Sequence, residues 1–261
     1  MIKDSRIDGG KPFDWGLASE AYSKYRDIYP EEFYQKIISL GLCTEGQNVL
    51  DVGTGTGVLP RNLCRFGAKF TGSDISPQQI EQAKLLSNGK DIDYITASAE
   101  DTADMCGGKK FDVITACQCF WYFKHDVFAE KAHSMLNDGG KLAFLCMEWL
   151  PFDDEIAGKS EELILKFNPS WSGCGETRHQ IAIDEAYKKY FKITDSIVFD
   201  ADVPFTRESW NGRMIACRGI GASLEQSEIE RFSAEHMEML SHYPESFTIK
   251  HYCAIAVMEK I

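Results

Sequence analysis

Three glycines within five residues follow a short apolar run in the stretch NVLDVGTGTGVLPRNLC, from Asn48 to Cys64. Glycine is required where the backbone adopts positive φ angles or where another group approaches the main chain closely. One glycine would suffice for a tight turn, so the spacing of Gly53, Gly55 and Gly57 favours a turn that binds a ligand. A nicotinamide fingerprint would need glycine at Val58, and a Walker loop would need a Gly-Lys-Ser/Thr sequence that this turn lacks.

Strand-like and helix-like segments alternate around this turn. The predicted strands are QNVLDV, AKFTGSD, DIDYITA, FDVITAC, KLAFLCME, FKITDSIVF and SFTIKHYCAIAVME. Helical spacing occurs in the segments between them, for example in SPQQIEQAKLLSNG, with Ser76 as N-cap, Pro77 at the first position and Gly89 past the end. This alternation predicts an α/β fold with a seven-stranded, mostly parallel sheet and helices on both faces.

The alternation breaks between Trp149 and about Tyr190, where tryptophan, glycine and charged residues are scattered. We expect a small lid insertion here, after the fifth strand, over the edge of the sheet where open α/β folds bind ligands. The predicted organisation is an N-terminal helical lid (1–29), a cofactor-binding core (30–148), a substrate-side lid insertion (149–190) and C-terminal strands and helices that complete the core (191–261).

Composition argues against several functional classes. A formal net charge of −12 without a basic run would repel a phosphate backbone, which argues against nucleic acid as a partner. The nine cysteines include no C-x-x-C pair, so we expect reduced thiols and no metal. The N-terminus lacks the apolar core of a signal peptide, and no apolar run approaches the ~20 residues of a membrane span. We therefore expect a cytoplasmic protein without a membrane partner; the oligomeric state stays open.

Asp74 ends the second predicted strand, seventeen positions beyond Gly57. A carboxylate at this point can accept hydrogen bonds from both hydroxyls of a ribose. An isolated aspartate before a helix would be interpreted as a cap, but at this spacing we favour the ribose role.

Five segments in register, VLDVGTGTG, GSDISPQQIEQAK, ASAED, FDVITACQCFWYF and MLNDGGKLAFL, resemble the motifs of class I S-adenosylmethionine-dependent methyltransferases. The resemblance covers Pro30 to about Glu148 and, more weakly, the C-terminal strands. It implies a Rossmann-like fold and S-adenosyl-L-methionine as cofactor. AYSKYRDIYP and ACQCFWYF are similar to the small-molecule branch of trans-aconitate-type and ubiquinone-biosynthesis-type enzymes, which implies a small-molecule acceptor.

The resemblance also implies which residues bind the cofactor. Its methionine and ribose part would lie against Asp51, Gly53, Thr54, Gly55 and Gly57, with Asp74 on the ribose hydroxyls. The adenine would meet Ile75, Ala99 and Glu100, with Ser98 where the family often has an aspartate. Cys117 and Gln118 would lie near the sulfonium, and Tyr22, Tyr25 and Arg26 match a helix that closes over the cofactor carboxylate.

The catalytic residues remain open. Relatives of the small-molecule type often have His-Trp after the fourth strand, where this chain has Trp121-Tyr122, so a candidate base is missing. We expect in-line methyl transfer driven by orientation and desolvation. The catalytic candidates are Gln118 and three rings that could stabilise the sulfonium: Tyr22, Trp121 and Tyr122.

The predicted substrate residues are Trp149, Trp171, Arg178 and His179, in or beside the insertion, although packing explains each tryptophan equally well. The alternative functions are a non-catalytic S-adenosylmethionine-binding or regulatory subunit and a protein methyltransferase. The sequence names neither the acceptor nor the atom that is methylated.

Overall fold

A computed structural model describes residues 2–261 of the chain. Its seven strands form one sheet in the order β3-β2-β1-β4-β5-β7-β6. The strands are β1 Asn48–Val52, β2 Lys69–Asp74, β3 Ile92–Thr96, β4 Phe111–Cys117, β5 Leu136–Trp149, β6 Phe191–Thr206 and β7 Ser246–Lys260. The helices are α1 Ser19–Tyr25, α2 Glu31–Ser39, α3 Val58–Leu63, α4 Pro77–Leu86, α5 Thr102–Met105, α6 His125–Met135, α7 Glu155–Phe167, α8 Arg207–Ile215 and α9 Gln226–Ser241.

The first strands pair in parallel. β1 lies between β2 and β4, and the parallel pairing continues from β2 to β3 and from β4 to β5. β1 and β4 are buried along most of their length, as expected for parallel strands covered on both faces. The predicted α/β fold with a seven-stranded, mostly parallel sheet is confirmed.

Local sequence signals explain the helix that follows β2. The Ser76 hydroxyl accepts a hydrogen bond from the Gln79 N–H, and Pro77 is the first residue of α4. Gly89, beyond its end, has a φ of +82°, which favours glycine. The helix therefore begins and ends as its sequence predicts.

The residues fall into two compact units. The sheet unit comprises Tyr29–Met147, His179–Phe199 and Cys253–Ile261, and the helical unit comprises Met1–Ile28, Glu148–Arg178 and Asp200–Tyr252. The sheet unit contains β1 to β4 and parts of the other strands, whereas the helical unit contains α1, α7, α8 and α9. The predicted insertion 149–190 has residues in both units, and its role as a lid stays a prediction.

The segment before α1 is anchored within the helical unit. Buried Asp8 accepts a hydrogen bond from the Ser172 N–H at 2.7 Å and forms an ion pair with Arg218 at 2.9 Å. A backbone hydrogen bond from Asp14 N–H to the Ala222 carbonyl adds a second attachment. Movement of the predicted N-terminal lid (1–29) is therefore expected in α1 and its flanks more than in the anchored residues before α1.

A buried hydroxyl joins three helices of the helical unit. Ser160 of α7 accepts a hydrogen bond from Trp210 Nε1 of α8 at 2.9 Å and lies 3.0 Å from His236 Nε2 of α9. His236 Nδ1 donates to the Asn211 amide oxygen at 2.9 Å, and the one proton of the Ser160 hydroxyl is shared between the Ile156 carbonyl oxygen, 2.7 Å away, and His236 Nε2. Ser160 and His236 are both 0% exposed, so this Ser-His-Asn array is a packing element and not a nucleophilic site.

Candidate active site

The glycine turn joins β1 to α3. Gly53, Gly55 and Gly57 all have positive φ angles, of +67°, +56° and +74°. A Cβ atom at Gly53 would lie 2.5 Å from Cys119 Sγ, and one at Gly57 would lie 2.2 Å from the Tyr94 hydroxyl. Side chains are therefore excluded here by backbone conformation and by neighbouring protein atoms, a reason for the glycines that the sequence did not reveal.

The Asp51 carboxylate, at β1 just before the glycine turn, connects this turn to β4 by hydrogen bonds. Its carboxylate accepts hydrogen bonds from the Thr54 hydroxyl at 2.6 Å and from the Thr115 hydroxyl of β4 at 2.7 Å. Burial raises the pKa of Asp51 to about 6, although both hydroxyls oppose that shift. The charge is thus buried but compensated, which fixes the position of Thr54 relative to β4.

Asp74 meets the turn from the end of β2. One carboxylate oxygen accepts from the Gly55 N–H at 2.9 Å and the other from the Ser76 N–H at 2.8 Å. Each carboxylate oxygen has a second lone pair, so Asp74 can accept two more hydrogen bonds from a diol. Ile75, next in the chain, is 54% exposed and offers an apolar surface beside that carboxylate. This pairing has the chemistry of a nucleoside-binding site.

The loop after β3 carries a residue that sequence reasoning missed. The Ser98 hydroxyl donates to the Asp101 carboxylate at 2.6 Å. A carboxylate therefore lies beside the position where the family often has an aspartate, and the Ser-x-x-Asp spacing was the available signal. Ala99 is half-buried, and Glu100 accepts a hydrogen bond from the Lys124 N–H at 2.8 Å.

The end of β4 has an unusual backbone. Gln118 has a φ of +64°, in the left-handed region that residues other than glycine seldom adopt. Its N–H donates to the Leu145 carbonyl at 2.9 Å and its side-chain amide donates to the Met147 carbonyl, both on β5. The Cys117 sulfur lies 3.3 Å from the hydroxyl of Tyr29, a residue the sequence interpretation did not include. Strained residues held in this way are frequent at functional sites.

Trp121 and Tyr122 lie in a short 3₁₀ helix, Phe120–Tyr122, just beyond β4. Their rings are 6.1 Å apart between centroids, and both side chains are half-buried. Trp121 also packs edge-on against Phe120 at 4.7 Å. The two rings therefore retain surface that can contact a ligand.

In the helical unit, two of the three N-terminal residues that were predicted to close over the cofactor carboxylate contact each other. Arg26 donates to the Tyr22 hydroxyl at 3.3 Å, and its guanidinium lies 4.6 Å from the Tyr22 ring centroid. Tyr25 instead donates to Glu208 at 3.1 Å and packs on α8, where a Cβ at Gly212 would lie 2.4 Å from its ring. Tyr25 is thus engaged in packing α1 against α8.

The predicted substrate residues have different environments. Trp149 and Trp171 are buried with centroids 6.4 Å apart, and Trp149 Nε1 donates to Glu161 at 2.7 Å. Arg178 is paired with Asp200, at 2.6 and 2.9 Å, and with Asp153. His179 is exposed and belongs to the sheet unit.

Two further charged residues of the helical unit carried no sequence signal. Arg213 of α8 is 3% exposed, and its guanidinium lies 4.8 Å from the Trp149 ring centroid. Burial lowers the pKa of Arg213 to about 9. Half-buried Glu148, near the carboxyl end of β5, has its pKa raised by burial to about 7, while Arg213 and Arg26 oppose that shift. A carboxyl group with such a pKa can exchange a proton near neutral pH.

Other site chemistries find little support in the described part of the chain. Within residues 2–261, no three His, Cys, Asp or Glu side chains are grouped so that they could hold a metal ion. None of the helices in that range is long and apolar enough to cross a membrane.

Comparison with known proteins agrees with this geometry. Residues 50–144 match the family described as a methyltransferase domain. The ubiquinone biosynthesis O-methyltransferase of Chelativorans sp. (strain BNC1) is 40% identical over 99 residues, which cover 37% of this chain and 38% of the relative. The enzyme of the same description from Xanthomonas axonopodis pv. citri (strain 306) is 32% identical over 135 residues, 51% of this chain and 56% of the relative. The chain thus spans between about a third and slightly over half the length of these two relatives.

Solved structures support the fold. A candidate type II methyltransferase from Anaeromyxobacter dehalogenans superposes with a TM-score of 0.59 at 18% identity, covering 89% of this chain and 96% of the other. A candidate sarcosine dimethylglycine methyltransferase from Galdieria sulphuraria gives a TM-score of 0.51 at 15% identity, covering 98% and 96%. The domain match thus identifies a methyltransferase domain in residues 50–144, and the motif order and the fold are similar to those of the class I S-adenosylmethionine-dependent methyltransferases, which use S-adenosyl-L-methionine as methyl donor.

Proposed function

We propose that this protein transfers a methyl group from S-adenosyl-L-methionine to a hydroxyl oxygen of a small organic molecule. The observation that carries the proposal is the Asp74 carboxylate, held by the Gly55 N–H at 2.9 Å with lone pairs left for a ribose. The hydroxyl is suggested by relatives described as O-methyltransferases.

The nucleoside part of the cofactor would bind at the ends of β2 and β3. Asp74 would accept from the ribose hydroxyls, and exposed Ile75 would pack on the adenine. Asp101, beside Ser98, would accept from the adenine amino group in place of the missing family aspartate. These are the contacts that a nucleoside requires: two polar anchors and an apolar face.

The methyl-transfer step would be an in-line displacement. The C–S bond to the cofactor breaks as the new C–O bond forms, and the acceptor hydroxyl releases a proton. The rings of Trp121 and Tyr122 would stabilise the sulfonium, because aromatic faces attract cations. Orientation of the two reactants would supply most of the acceleration.

The proton that the acceptor hydroxyl loses would pass to water. The step therefore balances without a dedicated base, and orientation and desolvation carry the catalysis.

The test is turnover with a defined acceptor panel. The purified protein is mixed with S-adenosyl-L-methionine carrying a deuterated methyl group and with phenols, alcohols, carboxylic acids, thiols or peptides in separate reactions. Mass spectrometry should detect S-adenosylhomocysteine and a deuterated methyl ether only with hydroxyl compounds. Tight cofactor binding without any turnover would favour a non-catalytic binding protein, and methylated peptides would favour a protein methyltransferase; either result would overturn the proposal.

A further inference from the structure

The guanidinium of Arg213 is a buried cation without a polar partner. Its Nε and Nη1 atoms are fully buried, and no hydrogen bond or ion pair reaches this side chain from any residue between 2 and 261. Its guanidinium carbon lies over the Trp149 ring, 4.8 Å from the ring centroid. Burying an unpaired charge is strongly unfavourable, so such a group indicates a missing partner.

Three acidic side chains of the helical unit, those of Glu148, Glu161 and Glu176, form no ion pair with Arg213. Glu161 accepts from Trp149 Nε1 at 2.7 Å and from the Gly175 N–H at 2.8 Å. Glu176 accepts from the Tyr252 hydroxyl at 2.6 Å. Glu148 influences Arg213 electrostatically but forms no ion pair with it. The positive charge of Arg26 adds to that of Arg213, so the surroundings of the guanidinium favour an anion.

A second buried polar atom without a partner lies in the same aromatic cluster. His251 Nδ1 is 2.9 Å from the Ile249 carbonyl oxygen, so it donates and leaves Nε2 as an acceptor that no described residue satisfies. The His251 ring is 6.3 Å from Trp210, whose ring is 5.8 Å from Trp149. An unsatisfied donor group and an unsatisfied acceptor in one cluster are characteristic of a site built for a polar ligand.

We propose that Arg213 anchors a ligand site within the helical unit and binds the carboxylate of a small organic acid. An arginine presents a planar fork of N–H donors that matches a carboxylate with two parallel bonds, and an aromatic ring packed on its face leaves these donors unpaired. The proposal goes beyond the proposed function and gives the ligand class as small carboxylic acids, aliphatic or aromatic.

The test compares acids with their neutral amides. Calorimetry measures the affinity of the wild-type protein for pairs such as 4-hydroxybenzoate and 4-hydroxybenzamide, or lactate and lactamide, with S-adenosylhomocysteine present. A charge-assisted fork should make at least one acid bind about tenfold or more tightly than its amide. In Arg213→Met, which keeps much of the side-chain volume, this ratio should fall to near one, whereas Arg213→Lys should retain part of it.

The matched control is Arg231→Met. Arg231 also lies against an aromatic ring, 5.6 Å from the Phe167 centroid, but it is exposed on α9, so its replacement should leave the acid-to-amide ratio unchanged. Circular dichroism verifies that each variant is folded. If the lysine and methionine variants both fail to fold, the wild-type ratios alone decide.

The outcomes separate the two proposals. Wild-type protein that binds no acid better than its amide would overturn the role of Arg213, as would an unchanged ratio in folded Arg213→Met. A variant that loses affinity for S-adenosylhomocysteine but keeps the ratio would assign Arg213 to the cofactor carboxylate instead. Methyl transfer by a protein that binds no acid at Arg213 would leave the proposed function intact and refute only the acid site.

Discussion

Replacing Gly57 with alanine tests the claim that protein packing, and not only a ligand, excludes side chains from the glycine turn. Gly57 has a φ of +74°, and a Cβ there would lie 2.2 Å from the Tyr94 hydroxyl. The left-handed backbone costs alanine about 1–2 kcal/mol, and overpacking adds about 1–3 kcal/mol. The smaller freedom of alanine in the unfolded chain offsets about 0.4–1 kcal/mol. We therefore expect Gly57→Ala to lower the free energy of unfolding by about 3 kcal/mol.

Gly89 provides the matched control for the backbone contribution. Its φ is +82°, and a Cβ there would meet no atom within 4 Å. Gly89→Ala should therefore lower the free energy of unfolding by only about 1 kcal/mol, because it adds the backbone cost without the collision. Urea denaturation followed by circular dichroism measures both values.

A double-mutant cycle then isolates the collision. Tyr94→Phe removes the hydroxyl and its contact with Ser87 at 2.8 Å, so alone it should cost about 0.5–1.5 kcal/mol. Combined with Gly57→Ala, it should recover about 1–2 kcal/mol relative to the sum of the single changes. Equal losses in Gly57→Ala and Gly89→Ala, or an additive double mutant, would refute the packing argument.

Two further predictions concern function. Asp74→Ala should weaken binding of S-adenosylhomocysteine by about tenfold or more, since hydrogen bonds to a carboxylate contribute about 1.5–3 kcal/mol, and Asp101→Ala should weaken it less. Calorimetry giving both affinities within twofold of wild type would leave these residues as caps. Hydrogen exchange across residues 19–29 should slow when S-adenosylhomocysteine is added if α1 closes over the cofactor, and equal protection in both states would make the segment ordinary scaffold.

The features that could be predicted from the sequence are those with local causes. The start and end of α4 follow from Ser76, Pro77 and Gly89, because a cap, a fixed φ and a left-handed glycine act within a few residues. The strands could be located because buried parallel strands are short apolar runs bounded by turns. Asp74 could be singled out because the distance from the glycine turn to the end of the next strand varies little in such folds.

What escaped prediction depends on contacts between distant segments. α7 is capped by Asp154, whose carboxylate accepts from the N–H groups of Ile156 and Ala157, and it lies where scattered tryptophans and glycines had suggested only a lid insertion that breaks the alternation. Arg213 and Glu148 stand far apart in the chain, and nothing in either local sequence indicates burial or proximity. Their perturbed pKa values arise only when the folded chain removes water from both.

The hydroxyl of Ser160 has a consequence for how the helical unit opens. α7, α8 and α9 meet at this one oxygen. Detaching one of these helices therefore leaves a polar group of the array, such as the indole N–H of Trp210 or the imidazole of His236, without its hydrogen-bond partner. Each such orphan costs about 1–3 kcal/mol, so partial detachment is penalised relative to opening all three together. The three helices should therefore behave as a single cooperative folding unit, and their slowest-exchanging amides should report one common opening free energy.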